Sequence, residues 1–120
     1  MPIQAEILGA GGGAALAQAV SGTRNVAVTA AGSTQAAATS IPSANSVITT
    51  CTEAAGGVKL VAKDVGDTFT VINATANNLR VYPPTGGALN GGTTNAPAVL
   101  GAYRGAVFYQ YTALNFGATF

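Results

Sequence analysis

The chain has 120 residues and a formal net charge of +1, and charged side chains occupy only 8% of its positions, against roughly a quarter in an ordinary globular domain. This length leaves room for a single domain. The five Lys and Arg residues are scattered along the chain, whereas binding to a phosphate backbone needs clustered cations, so the sequence argues against a nucleic-acid partner.

The composition also predicts a weak hydrophobic core. Apolar residues make up 48% of the chain, but many are Ala, there is no Trp and there are 16 Gly. Alanine buries little apolar area, and each glycine raises the entropy that is lost on folding. A surface with few charges gives a lone monomer little protection against association. We therefore expect the chain to complete its burial in an oligomer or on a large partner.

Groups that could perform catalysis or hold a metal are scarce. The chain has no His, which a catalytic thiolate at Cys51 would need as its partner, and Cys51 is better explained as a small buried apolar residue. Asp64 and Asp67 flank Gly66, but two carboxylates fall short of the six to eight oxygen ligands of Ca²⁺. We expect a solvated turn there, and the sequence predicts no enzyme, no metal site and no cofactor.

Residues 1–22 are predicted to form an extended or partly ordered N-terminal arm, followed by one β domain over residues 23–120. A glycine-rich stretch over residues 9–13 interrupts the apolar residues of the arm. It fits a dinucleotide-binding turn, but no acidic residue lies about 20 positions further on, and a glycine hinge is the simpler interpretation. Glu6 and the absence of a basic start argue against a secretion signal, and no apolar run is long enough to span a membrane. We expect synthesis in a cytoplasm.

Strand patterns begin in the first half of the domain. Residues 24–29 alternate and predict a strand, and residues 30–35 predict a turn. Residues 36–41 are ambiguous, because their alanines favour helix while the exit toward Pro42 favours an extended path. Residues 47–52 form a β-branched run that is typical of a strand.

The second half has the clearest pattern. Residues 68–73 alternate with a period of two and place Phe69 and Val71 on one face, and residues 79–82 are predicted to return after an Asn-rich turn at 74–78. We attribute that turn to the tolerance of Asn for positive φ. Asn90-Gly91 is a second strong turn signal. Further strands are predicted at 58–61, 98–100, 103–112 and 115–120.

Short strands at this spacing predict an all-β fold, namely a small antiparallel β-sandwich or barrel-like domain with an extended N-terminal segment. Gly and Ala recur without a fixed period, which argues against a solenoid.

Aromatic residues crowd the C-terminal third. In the strand near residue 109, Val107, Tyr109 and Tyr111 share one face, and Phe108 and Gln110 share the other. The simplest explanation is that the rings supply core volume that alanines cannot. The alternative is a subunit or capsid interface, where aromatic residues are enriched, and stacking of a carbohydrate on an exposed Tyr is a weaker option. The candidate interface residues are Tyr82, Tyr103, Tyr109, Tyr111, Phe116 and Phe120.

The stretch over residues 56–112 carries a set of short motifs: a V-x-N strand end at Asn73, an L-x-V-Y-P exit at residues 79–83, a G-x-x-L-N-G loop ending at Gly91, and the run Val107-Phe108-Tyr109-Gln110. Together they resemble a β module that recurs in virion proteins of tailed bacteriophages. Family members often end in an aromatic residue, frequently Trp, after a short turn, whereas this chain has Leu114-Asn115-Phe116.

The resemblance implies a structural role in the virion. The size of the chain suits a capsid cement (decoration) protein, which sits as a trimer on the capsid surface and clamps subunits of the phage major capsid protein. A tail fibre or baseplate-associated receptor-binding module is the alternative. Either role implies synthesis in a bacterial cytoplasm and a final location in the virion.

Overall fold

The computed structural model describes residues 24–51 and 56–119. This part of the chain is all-β and contains no helix. Its ten strands are β1 (Arg24–Ala30), β2 (Thr39–Ile41), β3 (Asn45–Cys51), β4 (Gly57–Leu60), β5 (Thr68–Asn73), β6 (Leu79–Tyr82), β7 (Ala88–Leu89), β8 (Ala98–Leu100), β9 (Gly105–Gln110) and β10 (Asn115–Thr119). The predicted N-terminal arm and Phe120 lie outside the described residues.

The strands form two sheets, and the chain passes from one to the other after almost every strand. The six-stranded sheet has the order β1-β3-β5-β9-β10-β7, and the four-stranded sheet has the order β2-β4-β6-β8. Strands β1, β3 and β5 are parallel, and so are β2, β4 and β6. Each successive pair of strands, β1–β2, β3–β4 and β5–β6, therefore forms one coil of a β-solenoid, and three coils stack along the molecule.

The prediction of an all-β fold is confirmed, but the antiparallel sandwich or barrel and the exclusion of a solenoid are wrong. The coils repeat in geometry without a constant length in sequence. Arg24 pairs with Asn45, 21 residues later, and Asn45 pairs with Thr70, 25 residues later. A bulge on each side of Val28 shifts the register within the first pair of strands. Loops and bulges of unequal length thus hide the repeat from a search for a fixed period.

The Asn-rich segment at residues 74–78 is a corner between the two sheets, and it does not join a hairpin. Strand β5 enters it from one sheet and β6 leaves it in the other. Positive φ is not what Asn supplies here, because the described residues other than glycine with positive φ are Asn90, Asn95 and Tyr103. The turn predicted at Asn90-Gly91 does have positive φ at both residues, 51° and 68°.

The C-terminal strands close one end of the solenoid. Strand β9 pairs antiparallel with β5, and β8 pairs antiparallel with β6, so both sheets end in an antiparallel strand on the last coil. Strands β10 and β7 extend the larger sheet beyond β9. The short β7 lies in the segment that the sequence predicts as a loop. In the ambiguous segment over residues 36–41, residues 36–38 belong to a turn and Thr39–Ile41 form β2.

The core lies between the two sheets. The largest buried rings are Phe69, Phe108 and Phe116. Phe69 pairs with Phe108 across β5 and β9, and its ring lies 5.7 Å from that of Phe116. Burial of such a ring stabilises the fold by roughly 1.5–3 kcal/mol. The phenylalanines therefore supply the volume that the alanine-rich coils lack.

Candidate interaction surface

The outer face of the six-stranded sheet is the most distinctive surface of the described chain. Along β9, Ala106, Phe108 and Gln110 point inward, and Val107 and Tyr109 point outward. This is the division of faces that the sequence predicts. Strand β5 adds Ile72 to the outer side, while Phe69 and Val71 of the same strand are buried on the inner side. Bulky apolar residues thus stand outward on two adjacent strands in the middle of the sheet.

We call this surface the uncharged face. It consists of the outward residues of β3, β5, β9 and β10 together with the adjoining Tyr111. The strand residues are Asn45, Val47, Thr49, Thr68, Thr70, Ile72, Gly105, Val107, Tyr109, Asn115, Gly117 and Thr119. Every one of them is an uncharged residue, although the sheet presents a broad surface to solvent.

The registers place the apolar members of the uncharged face next to one another. Val47 pairs with Ile72 across β3 and β5. Val107 pairs with Thr70, two residues before Ile72, and Tyr109 follows Val107 on the outer side of β9. Ile72, Val107 and Tyr109 are each 42–45% exposed. The result is an apolar band that crosses three strands and is rimmed by threonines and asparagines.

Tyr109 packs against the neighbouring strand β10. Its partner there is Gly117, and a Cβ atom at that glycine would clash with Cζ, Cε2 and the hydroxyl oxygen of Tyr109. The ring of Tyr111 lies 6.4 Å from that of Tyr109 at an angle of 48°. The missing side chain at Gly117 thus lets Tyr109 cover backbone while both rings keep close to half of their surface exposed.

Two buried amides hold the edges of this surface in place. Asn73, at the end of β5, is fully buried, and its Nδ2 donates to the carbonyl oxygens of Asn77, Leu100 and Gly101. Its Oδ1 accepts from the main-chain N–H and the hydroxyl of Thr75. One side chain therefore fixes both the corner that follows β5 and the turn that precedes β9.

Gln110 has the same function at the other end of β9. Its Oε1 accepts from Lys63 N–H at 2.9 Å, and its Nε2 donates to the carbonyl oxygens of Lys63 and Ala113. The Gln110 side chain is 1% exposed. The V-x-N and F-x-Q residues noted in the sequence are therefore structural, because each closes a loop by hydrogen bonds from inside the domain.

The outer face of the four-stranded sheet has a different character. Lys59 and Arg80 lie on it, with Val99 at the β8 edge, 54% exposed. Tyr82 also points to this side, but it is 4% exposed. Its ring packs closely over Gly57 and its hydroxyl donates to Ser33 O, so the turn before β2 covers it.

The structure divides the six candidate interface residues. Tyr109 and Tyr111 lie together on the uncharged face, and Tyr103 is 72% exposed in the β8–β9 turn. Tyr82 and Phe116 are buried within the chain: Phe116 lies completely buried in the core, and Tyr82 lies under the turn before β2. Phe120 lies outside the described residues. The surface also contains Val47, Ile72 and Val107, which the sequence analysis did not name as interface candidates. The period-two alternation of their strands was the signal that could have identified them.

Other predicted features are also placed. Asp64 and Asp67 form a turn, in which Asp67 N–H donates to Asp64 O and Gly66 adopts a φ of 100°. Among the described residues no group of three or more His, Cys, Asp or Glu side chains could hold a metal ion. The same residues include no helix that is long and apolar enough to cross a membrane.

The chain was compared with protein-family models, with curated proteins and with solved structures, and none of the three comparisons returned a match.

Proposed function

We propose that this chain is a structural virion protein, a capsid cement or decoration protein that binds the assembled shell of a tailed bacteriophage as a trimer and stabilises it. The observation that carries the proposal is the uncharged face, a sheet surface with exposed Ile72, Val107 and Tyr109. The resemblance of residues 56–112 to a phage virion module is the reason for assigning this surface to a phage particle.

The uncharged face suits contact between proteins. Interface centres are depleted in charge and enriched in Tyr, while interface rims are polar. Here Tyr109, Tyr111 and the aliphatic band occupy the centre, and Thr70, Thr119 and Asn45 lie beside them. We assign this surface to the contacts between the three copies.

The proposed mechanism is passive. A trimer presents every shell contact three times, and linked contacts raise the overall affinity far above that of one copy. If the protein binds only the assembled lattice, mass action raises the temperature at which that lattice unfolds. Weak contacts suffice for this task, and the chain needs no reactive group.

The experiment introduces a charge into the uncharged face. Val107→Asp should leave the fold intact but convert the trimer to monomer, abolish co-sedimentation with mature capsids and remove the protein's protection against heat-induced DNA release. Val99→Asp is the matched control, because Val99 is similarly exposed on the other sheet and should bind as the unaltered protein does. If the unaltered chain is a monomer without capsid affinity, the proposal fails.

A receptor-binding module of a tail fibre or baseplate is the second candidate. The Tyr109–Tyr111 pair favours it, because two exposed rings 6.4 Å apart offer a platform on which a sugar ring can stack. Binding of the chain to host cells or surface glycans, lost in Tyr111→Ala and accompanied by antibody labelling of the tail tip, would support this role and exclude the first.

A further inference from the structure

The turn that follows β7 is bound to β10 by an asparagine side chain. Asn90 N–H donates to Phe116 O at 2.8 Å, in line with the parallel pairing of β7 and β10. The side chain continues this pairing beyond the end of β7, because Asn90 Oδ1 accepts from Ala118 N–H at 2.8 Å and Asn90 Nδ2 donates to Ala118 O at 3.3 Å. One amide group thus binds both main-chain polar groups of Ala118.

Asn90 is also the one asparagine of the chain that a glycine follows. This dipeptide is prone to deamidation, because glycine has no Cβ atom to hinder the attack of its main-chain nitrogen on the preceding side chain. A Cβ atom at Gly91 would meet no other atom within 4 Å, and both residues are exposed. Crowding and exclusion of water therefore do not prevent the reaction at this position.

We propose that Asn90 is a site of spontaneous covalent modification and that its contact with Ala118 sets the rate. The main-chain nitrogen of Gly91 attacks Asn90 Cγ and loses its proton to water, the Cγ–Nδ2 bond breaks, and Nδ2 leaves as ammonia. Water then opens the cyclic imide at either carbonyl, which gives aspartate or isoaspartate. The reaction needs no reagent other than water, and the inference does not depend on the proposed function.

The folded chain restrains this reaction in two ways. The hydrogen bonds to Ala118 hold the Asn90 amide on β10. The turn has a φ of 51° at Asn90 and 68° at Gly91, and Gly92 N–H donates to Leu89 O, which is the pattern of a type I′ turn. In such a turn ψ at the first central residue is about +30°, which directs Gly91 N away from the Asn90 side chain. Attack therefore requires the side chain to leave Ala118 and the turn to open.

Modification also loosens the end of β10. The product carries a carboxylate in place of the amide, so the donor to Ala118 O is lost. Isoaspartate displaces the main chain as well, because it inserts the side-chain methylene group into it. Thr119 of the uncharged face follows Ala118 directly. Deamidation thus brings a negative charge to the end of a strand that contributes to a surface without charged residues.

The first test measures isoaspartate at Asn90 by peptide mapping while the full chain is incubated at mildly alkaline pH. The same chain unfolded in urea gives the unrestrained rate. Because two hydrogen bonds must break before the attack, the folded chain should react more slowly by roughly a factor of 10 or more. Ala118→Pro removes the N–H that Asn90 Oδ1 accepts and should bring the rate of the folded chain close to the unfolded one. Ala118→Ser keeps this N–H and is the matched control.

Amide exchange provides a second readout that does not require the proline variant to fold. Asn90→Gly keeps a residue that adopts positive φ without strain but removes the acceptor of Ala118 N–H. The Ala118 amide should exchange faster in this variant, while the amides of β5 stay slow. An unchanged rate of Ala118 exchange would overturn the proposal. So would equal deamidation rates in the folded and unfolded chain, or a folded chain without isoaspartate at Asn90 after the unfolded chain has reacted.

Discussion

Gln110 binds both main-chain polar groups of Lys63 with one side chain, accepting from its N–H at 2.9 Å and donating to its carbonyl oxygen at 3.0 Å. The main chain repeats the link, since Gln110 N–H donates to Asp67 O and Gly66 N–H donates to Gln110 O. The loop between β4 and β5 is thereby attached to the end of β9, next to Tyr109 and Tyr111.

The first prediction concerns Gln110→Met, which keeps the approximate volume of the side chain but removes all of its hydrogen bonds. The main-chain N–H and carbonyl oxygen of Lys63 and the carbonyl oxygen of Ala113 lose their buried partner, so the free energy of unfolding should fall by about 1–3 kcal/mol. Urea denaturation at fixed protein concentration measures the change. Val99→Met, at an exposed position on the other sheet and outside the uncharged face, should change it by less than about 0.5 kcal/mol. Equal effects of the two variants would contradict the role assigned to Gln110.

The second prediction compares two substitutions in the corner that follows β5. Asn73→Asp keeps the shape but replaces the Nδ2 donor by an oxygen that faces the carbonyls of Leu100 and Gly101. Thr75→Val removes one hydroxyl that bonds to Asn73 Oδ1. Because an uncompensated buried charge costs more than a lost neutral hydrogen bond, Asn73→Asp should be the more destabilising in thermal unfolding. A larger effect of Thr75→Val would show that Asn73 contributes less than Thr75 to the stability of this corner.

The third prediction tests the contact between Tyr109 and Gly117. Gly117→Ala places a methyl group where the Tyr109 ring lies, so the ring must move, and the free energy of unfolding should fall by about 1–3 kcal/mol. In a Tyr109→Ala background the same change should cost much less, because the space is then empty. A double-mutant cycle measures this coupling. Additive effects of the two substitutions would contradict the packing described here.

A fourth prediction concerns Tyr103, which lies in a turn with a φ of 59° and is 72% exposed. Tyr103→Gly should not reduce the free energy of unfolding, because glycine adopts positive φ without strain. It should also leave the proposed trimer intact, since Tyr103 is not one of the residues of the uncharged face. Sedimentation equilibrium checks the second point, and loss of the trimer would show that the interface extends to the β8–β9 turn.

Local structure could be predicted from the sequence to a large extent, because it depends on local patterns. Alternation fixed the bounds of β5 and β6 as well as the two faces of β9. Which strands pair with one another could not be predicted in this way. Whether Leu79–Tyr82 returns beside Thr68–Asn73 or enters a second sheet depends on the corner at residues 74–78, and the hydrogen bonds of Asn73 decide it by reaching residues 100 and 101.

Burial of individual aromatic residues was equally hard to predict. Tyr82 lies on the outward side of β6, as its alternation with Val81 indicates. It is nevertheless covered, because the turn at residues 32–37 folds over it and Gly57 lets its ring lie close to β4. Contacts between distant segments determine such burial, and no local pattern reports them.

A density map of the intact virion tests the central claim most directly. The account predicts that the two-sheet domain fits into groups of three on the outside of the capsid shell, with Val107, Tyr109 and Tyr111 of each copy turned toward the other copies in its group. Density for this domain at the tail tip, or a particle that lacks the domain altogether, would contradict it.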